Sequence, residues 1–144
     1  MSMRITGDKK FMDELRKRRV RAREAARIGV NLGAHIIVNA AKEKAPVRTG
    51  NLKRSIHVEP SGKAKVEGDK IYSDVGTDEP YGAAQEYGSD PYMIDSPVLM
   101  DVGWRHIKQH PGLTAQPYMR PAMDENKDEY NKEVATTIRK VWIK

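Results

Sequence analysis

The sequence predicts an α+β fold in which a long N-terminal helix and a C-terminal helix pack on a small antiparallel sheet. A proline-free run of good helix formers extends from Lys9 to Lys44, short alternating segments with turn residues follow it, and a second helical stretch begins at Pro121. A chain of 144 residues has the size of one compact domain, so we predict a single domain over residues 1–144.

The first helix is predicted to begin after Asp8, a good N-cap, and to end near Lys44, because the residue before Pro46 is held out of the helical region. Placed at 100° per residue, its apolar residues form one stripe, the expected buried face. Gly29 and Gly33 in this stripe allow another element to approach closely, with a flexible point as the alternative. The stripe consists of Phe11, Leu15, Ala22, Ala26, Gly29, Val30, Gly33, Ile36, Ile37 and Ala40.

The N-terminal part of this helix is basic. At 1.5 Å per residue the helix runs roughly 50 Å, longer than the core of such a domain, so we predict a projecting basic segment over residues 9–27. Three uses stay open for it: a solvated helix end, contact with an acidic patch on a partner subunit, or proximity to nucleic-acid phosphates. The candidate partner-facing or DNA-facing residues are Arg16, Lys17, Arg18, Arg19, Arg21, Arg23 and Arg27.

The net charge of +6 is unevenly distributed. Residues 1–56 hold 15 Lys and Arg against 5 Asp and Glu, a net charge of +10, whereas residues 57–144 hold 11 against 15, a net charge of −4. Such asymmetry suits contact between copies through opposite charges or contact with a polyanion. Only 38% of the residues are hydrophobic, so the core is thin and burial against neighbouring copies is a reasonable expectation.

The middle of the chain is predicted to form the sheet. Turn residues at 49–51 are followed by an alternating strand from about Lys53, and residues 63–66 and 71–76 are predicted to form a hairpin, giving a three-stranded meander. Residues 81–88 are predicted to form a helical turn packed under the sheet, with Tyr81 and Tyr87 as its anchors. The residues expected to shape the subunit are Pro46, Gly50, Leu52, Tyr81, Tyr87, Pro117 and Pro121.

Residues 89–114 are predicted to form a loop-rich insertion, since prolines separate its short apolar clusters. A tryptophan on a loop often anchors an interface, which makes Trp104 a candidate. The closing helix is predicted to start at Pro121, with an apolar stripe of Met123, Tyr130, Val134, Ile138 and Val141. The candidate interface residues are Trp104, Tyr118, Met119 and Arg120.

The sequence carries no catalytic set. It has no cysteine, no glycine-rich phosphate loop and no paired acids, and Glu86 is a lone carboxylate for which a hydrogen-bonded or exposed role is expected. His106 and His110 lie four residues apart without further ligands, and Pro111 interrupts any helix there. We therefore predict no enzyme activity, metal or cofactor. No segment approaches the about 20 apolar residues that span a bilayer, so we expect no membrane contact.

Three blocks in order resemble a known family. They are residues 45–56, with the pattern proline-x-x-threonine-glycine-x-leucine from Pro46, residues 81–88 (YGAAQEYG), and residues 116–122, which contain proline-x-x-arginine-proline-alanine. Together with the long basic helix they resemble the tail-completion, or head-tail joining, family of long-tailed bacteriophages. The segment 89–114 departs from this pattern, because many members pass quickly to the closing block.

The resemblance implies a structural virion protein of the tail neck. Such a subunit forms a ring, expected to be hexameric, at the head-proximal end of the tail tube and presents the surface that docks to the head connector. Double-stranded DNA passes through the lumen of such a ring. The chain is expected in the virion, and in the host cytoplasm during assembly. The alternative is a small basic nucleic-acid-binding protein that uses the basic segment.

Overall fold

The computed structural model describes residues 8–59, 63–93, 98–100, 103–105 and 109–142, and it confirms the α+β class. Helix α1 (Lys9–Lys44) and helix α4 (Met119–Trp142) lie side by side and antiparallel, since Lys44 pairs with Glu125 whereas Gly29 contacts Val134. Short helices and strands connect them. The predicted arrangement of two helices with small antiparallel sheets is therefore correct.

Helix α1 has the predicted bounds, and its neighbours in sequence explain both ends. The Asp8 carboxylate accepts a hydrogen bond from the Lys10 backbone N–H at 3.1 Å, which satisfies a free donor of the first turn. Ala45 takes an extended conformation (φ −62°, ψ 130°), as expected for a residue before proline.

The buried face of α1 is rotated from the predicted stripe and begins only at Ala25. Gly29, Val30 and Gly33 are buried as predicted, but Phe11 and Leu15 are 61% and 45% exposed. None of the described elements covers the first turns of α1, so apolar side chains there face solvent. The other buried positions are Ala34, Val38 and Ala41, whereas Ala22, Ala26, Ile36, Ile37 and Ala40 are half-buried.

The two helical glycines are packing positions rather than flexible points. A Cβ atom added at Gly33 would lie 2.4 Å from Tyr130 Cδ2, and one added at Gly29 would lie 3.0 Å from Val134 Cα. Helix α4 therefore approaches the backbone of α1 as closely as side chains allow. Both glycines support the helix pair through the absence of a side chain.

Helix α2 (Asn51–Ser55) occupies the place where the sequence predicts the start of a strand, so that prediction is wrong. Gly50 adopts a left-handed conformation (φ 76°), and its carbonyl accepts from the Arg54 N–H at 3.0 Å. Leu52 and Ile56 are four residues apart, so one helical turn directs both into the core, where they are 2% and 0% exposed. The strand begins only at Ile56.

The sheet is not a meander. Strand β1 (Ile56–Glu59) pairs with β4 (Asp74–Thr77), and β2 (Lys65–Glu67) pairs with β3 (Lys70–Tyr72), both antiparallel. The predicted hairpin at Gly68 is present, but the returning chain is divided at Ser73 and its second part lies beside β1. Strand order depends on contacts between distant residues, which local alternation does not encode.

Helix α3 (Gly82–Tyr87) forms as predicted, but the two tyrosines are not its anchors. Tyr81 and Tyr87 are 41% and 73% exposed, whereas Gly82 and Glu86 are the buried residues of this helix. A Cβ atom at Gly82 would lie 2.5 Å from Thr77 Cγ2 and 3.2 Å from the Tyr118 hydroxyl. The anchor against α3 is therefore Tyr118, which is 1% exposed.

The segment after α3 is a nested antiparallel arm rather than an irregular loop. Strand β5 (Tyr92–Met93) pairs with β8 (Gln109–His110), and β6 (Val98–Met100) pairs with β7 (Gly103–Arg105). The arm closes at its base through Ser89 and Leu113, whose backbones exchange two hydrogen bonds of 2.9 Å.

Helix α4 begins at Met119, two residues before the predicted Pro121, which lies in its first turn. Met123 of the predicted stripe is 64% exposed, whereas Tyr130, Val134, Ile138 and Val141 are half-buried. The core joins the C-terminal part of α1 to α2, β1 and the start of α4. Its buried residues are Ala34, Val38, Ala41, Ala45, Leu52, Ile56, Val58, Tyr118 and Ala122.

Candidate functional site

The first turns of α1 extend beyond the helix pair. Every residue from 9 to 21, here called the overhang, is exposed. At 1.5 Å per residue this segment is about 20 Å long. Since α4 passes Gly29 at Val134 and its described part ends at Trp142, the overhang lies past that end. The basic segment predicted to project is thus exposed over most of its length.

The seven basic residues of this segment that are candidates for partner or DNA contact have different surroundings. Arg16 lies 3.7 Å from Asp13, Arg27 pairs with Glu24 at 2.6 Å, and the Arg23 guanidinium donates to the Gly68 carbonyl in the β2–β3 turn. Arg23 and Arg27 therefore bond within the domain. Within the described residues, no hydrogen bond or ion pair involves the other four, which are Lys17, Arg18, Arg19 and Arg21.

The Glu24–Arg27 pair shows how exposed these ionic contacts are. The hydrogen bond from Arg27 lowers the pKa of Glu24, and the same bond raises the pKa of Arg27. Both side chains remain largely in water, so the pair contributes little to stability.

One side of the overhang combines apolar and basic residues. At 100° per residue, Phe11, Met12, Leu15, Arg18 and Arg19 fall within an arc of about 120°, which we call the overhang face. Phe11, Met12 and Leu15 are 61%, 47% and 45% exposed. Val20, 69% exposed, lies on the opposite side of the helix. Apolar side chains next to unpaired arginines are typical of a protein-binding surface.

Glu86 organises the start of α4 from outside that helix. Its carboxylate accepts three backbone N–H bonds, from Tyr118 at 2.7 Å, Met119 at 2.9 Å and Arg120 at 3.0 Å. Burial raises the pKa of Glu86, but these bonds and the charge of Arg120 outweigh it, so the net pKa lies below that of an ordinary glutamate. Glu86 is thus an ionised structural cap.

Sequence reasoning missed this cap, although a signal was present. Residues 116–118 (QPY) contain no Ser, Thr, Asp or Asn to cap a helix that starts at Met119. A buried acid from another element therefore had to supply the acceptor. Burial raises the pKa of the Tyr118 phenol, and the negative charge of Glu86 raises it further.

A groove of about 570 Å³ opens between the helix pair, β4 and the end of α3. Ile37, Val75, Met119 and Tyr130 form much of its apolar lining, and burial raises the pKa of the Tyr130 phenol. Ser73 Oγ, also in the lining, is buried without a hydrogen-bond partner among the described residues. The charged residues of the lining are Asp74, Glu86, Arg120, Asp124 and Lys127.

Two of the residues that line this groove are large, hydrophobic and exposed, Tyr87 at 73% and Met123 at 64%. Tyr87, Arg120 and Asp124 also line a second depression of about 560 Å³ beside Pro117 and Pro121. An exposed tyrosine, methionine and arginine around concave apolar surface form a composition enriched at protein interfaces.

The candidate interface residues have different environments in the structure. Tyr118 is buried in the core, so it is not available to a partner, whereas Arg120 is exposed and Met119 half-buried at the groove. The side chain of Trp104, in β7, lies outside the described part of the structure. Of the three candidates whose side chains the structure describes, Arg120 and Met119 line the groove.

Three potential metal ligands meet at the end of the β1–β4 pair. One ligand atom each of His57, Glu59 and Asp78 lies within 4.8 Å of the others. His57 Nδ1 is 2.6 Å from the Ser55 carbonyl and 3.8 Å from Asp78 Oδ2. This group is not apparent from the sequence, because Asp78 is distant along the chain from His57 and Glu59. Its donors are partly solvated, so bound water would complete the shell of any cation.

Of the two histidines that lie four residues apart in the sequence, the structure describes only His110. His110 stacks on Tyr92, with ring centroids 4.8 Å apart, and its Nδ1 accepts from the Gly112 N–H at 3.1 Å. His106 lies outside the described residues. Among the described helices, none is long and apolar enough to cross a membrane.

These features define a small α+β protein whose exposed apolar and basic surfaces suit binding to other proteins. Residues 9–88 match the model of the HK97-gp10-like family, described as "Bacteriophage HK97-gp10, putative tail-component". The match covers more than half of the chain, so the protein belongs to this family of phage tail components. The comparison with curated proteins and the comparison with solved structures each gave no match.

The family confirms the resemblance drawn from the sequence and identifies a structural component of the phage tail, located in the virion. The matched range contains the overhang, α2, the β1–β4 pair and α3. The nested arm and the closing block at 116–122 lie beyond it. The groove thus combines elements from inside and outside the matched range.

Proposed function

We propose that the protein forms a hexameric ring at the head-proximal end of the tail tube and joins the tail to the head connector. The overhang is the observation that carries this proposal. It presents apolar side chains and unpaired arginines to solvent on a helix that is otherwise well packed. Such a surface is costly unless a partner covers it, and a tail component has other copies and other tail proteins as partners.

The thin core supports assembly as well. Four of the nine residues in the main core cluster are alanines, so each subunit buries little apolar area by itself. A ring adds burial between copies, which makes subunit stability depend on concentration. On this proposal the protein acts by assembly rather than by chemistry, first in the host cytoplasm and then in the virion.

The ring has a lumen through which double-stranded DNA passes on its way from the head. Basic side chains near such a lumen attract phosphates without reading sequence. The partners are therefore further copies of this chain, the tail tube and the head connector, with DNA as a passing contact.

Mass measurement in solution combined with negative-stain microscopy tests the proposal. The purified protein, alone or with tail tubes, should give closed rings or copies stacked on one end of the tube. A protein that stays monomeric at all concentrations and ignores tail tubes would contradict ring formation. Mixing with isolated connectors tests the joining step, because rings should dock on one connector face.

A second candidate function is nucleic-acid binding through the overhang, favoured by the unpaired Lys17, Arg18, Arg19 and Arg21. The logarithm of the DNA affinity should then fall linearly with the logarithm of the salt concentration, with a slope of about −0.9 per phosphate contact. Changing Arg18 and Arg19 to glutamine should remove about two phosphate contacts and make the slope less steep by the corresponding amount. A monomer with such binding would favour this function over the ring.

A further inference from the structure

The overhang face and the groove cannot meet within one chain. Leu15 lies in the overhang, and Ile37 lines the groove on the same continuous helix, 22 residues further along. At 1.5 Å per residue they are about 33 Å apart. Because an α-helix is rigid over this distance, only a second copy can bring an overhang face to the groove. A contact of this kind joins two different surfaces and can therefore repeat around a ring.

The two surfaces have matching apolar chemistry. On the overhang face, Phe11, Met12 and Leu15 form an apolar ridge, because Leu15 is four residues from Phe11 and three from Met12 and so lies on the same side of the helix. The groove offers a concave apolar lining with Tyr87 and Met123 standing at it. An amphipathic helix lying in an apolar groove is a recurrent mode of protein recognition.

The overhang is strongly basic, whereas the groove lining carries a small net negative charge. Residues 9–27 hold nine Lys and Arg against three Asp and Glu, a net charge of +6. The groove lining holds three carboxylates, Asp74, Glu86 and Asp124, against two basic side chains, a net charge of −1. Arg120 and Lys127 are the basic members of the groove lining, and Asp124 stands between them on α4.

Individual contacts fit this complementarity. Arg18 and Arg19 lack partners among the described residues, and Asp124 is an exposed carboxylate in both depressions with no ion pair among them. Asp74 is already paired with Lys65 at 3.0 Å, so it contributes less. Tyr87, 73% exposed, offers an aromatic face on which an arginine can stack.

We propose that the overhang face of one copy docks in the groove of the next copy, with Arg18 and Arg19 toward Asp124 and Tyr87. The inference rests on the proposed ring and specifies the contact that closes it. Each copy then gives its overhang to one neighbour and receives that of the other. The exposed apolar residues of both surfaces become buried together.

Disulfide trapping tests this contact directly, because the natural chain contains no cysteine. In the double variant Leu15→Cys with Met123→Cys, docking brings the two thiols within bridging distance only between copies. After mild oxidation, a non-reducing gel should show covalent multimers extending up to the size of the ring. Reduction should return them to monomers.

The matched control is Val20→Cys with Met123→Cys. Val20 is at least as exposed as Leu15 but faces the other side of the overhang, so no ladder of multimers is expected. Single-cysteine variants should give dimers at most. Native mass measured before oxidation shows whether each variant still assembles.

The outcomes separate this contact from the ring itself. A ladder confined to the Leu15 and Met123 pair supports the docking. Rings that form without that ladder, or with equal ladders from both pairs, would overturn the docking and leave the ring standing. Chains that remain monomeric in solution and on tail tubes would overturn both.

Discussion

The two ends of α1 have the same secondary structure but opposite surroundings. From Ala25 to Ala41 the helix buries a face of glycine, alanine and valine against α4 and the sheet. From residue 9 to 21 every residue is exposed and the polar residues are mainly Arg and Lys. Small residues let another backbone approach, whereas long charged side chains keep it away. One helix therefore belongs to the core at one end and is exposed to solvent at the other.

The packed end of α1 also explains why the overhang stays helical. An isolated helix shorter than about 12–15 residues is marginal in water. The overhang continues a helix that is already nucleated and held by packing, so its additional turns form without the free-energy cost of a new nucleus. A rigid arm of about 20 Å is thereby positioned by the folded domain rather than by a flexible linker.

The largest expected difference comes from the same substitution at the two ends. Val38 is 4% exposed and Val20 is 69% exposed on the same helix. Val38→Asp buries an unpaired carboxylate and should cost at least about 3 kcal/mol of the free energy of unfolding. Val20→Asp should change it by less than about 0.5 kcal/mol. Urea denaturation of both variants checks this, and equal losses would show that the overhang is packed.

A smaller loss is expected from filling the glycine contact. Gly33→Leu must displace the Tyr130 ring, which lies 2.4 Å from the position of a Cβ atom. The crowding should outweigh the gain in helix propensity and cost about 2 kcal/mol. Combining it with Tyr130→Ala should recover part of the loss in a double-mutant cycle. Additive losses would mean that α4 does not contact Gly33 through Tyr130.

Removing the cap of α4 should have an effect of about 1–2 kcal/mol at neutral pH. Glu86→Gln keeps the shape but removes the charge that accepts three backbone N–H bonds. The folded pKa of Glu86 is lowered, so its stabilisation is complete above the ordinary glutamate pKa of about 4.3. It is lost as pH falls through the lower folded pKa. The wild-type and Gln variants should therefore converge in acid, and a constant gap would contradict this assignment.

The substitution that should impair assembly most is expected to have the smallest effect on folding. Arg18→Glu with Arg19→Glu changes only solvated side chains of the overhang, so the melting temperature should shift by less than about 2 °C. Thermal melting followed by circular dichroism checks this. Loss of the cooperative transition would show that the overhang belongs to the core.

Local chemistry predicted much of the fold. Asp8 and Pro46 set the ends of α1, and the length of the predicted helix indicated a projecting end. The period of the pattern was ambiguous around Leu52 and Ile56, where two apolar residues four apart fit one helical turn as well as alternation. The exposure of Tyr87 and Met123 could not be predicted, because it depends on how α3 and α4 meet.

One part of the candidate site could be predicted from the sequence and the other could not. The overhang is continuous in sequence, so its basic run could be found by reading along the chain. The groove joins Ile37, Val75, Tyr87 and Met123 from four elements, and Glu86 caps a helix that begins more than thirty residues later. Such groups come together only through the tertiary fold, which periodicity does not report.

The mass of the assembled protein is the most direct test of the account, measured for the wild type and for Arg18→Glu with Arg19→Glu at equal concentration. The matched control is Lys53→Glu with Lys140→Glu, an equal charge change at exposed sites on α2 and the far end of α4. Closed hexamers are expected for the wild type and the control, and folded monomers for the overhang variant. Hexamers of all three, or a wild type that never leaves the monomer, would contradict an overhang built for assembly.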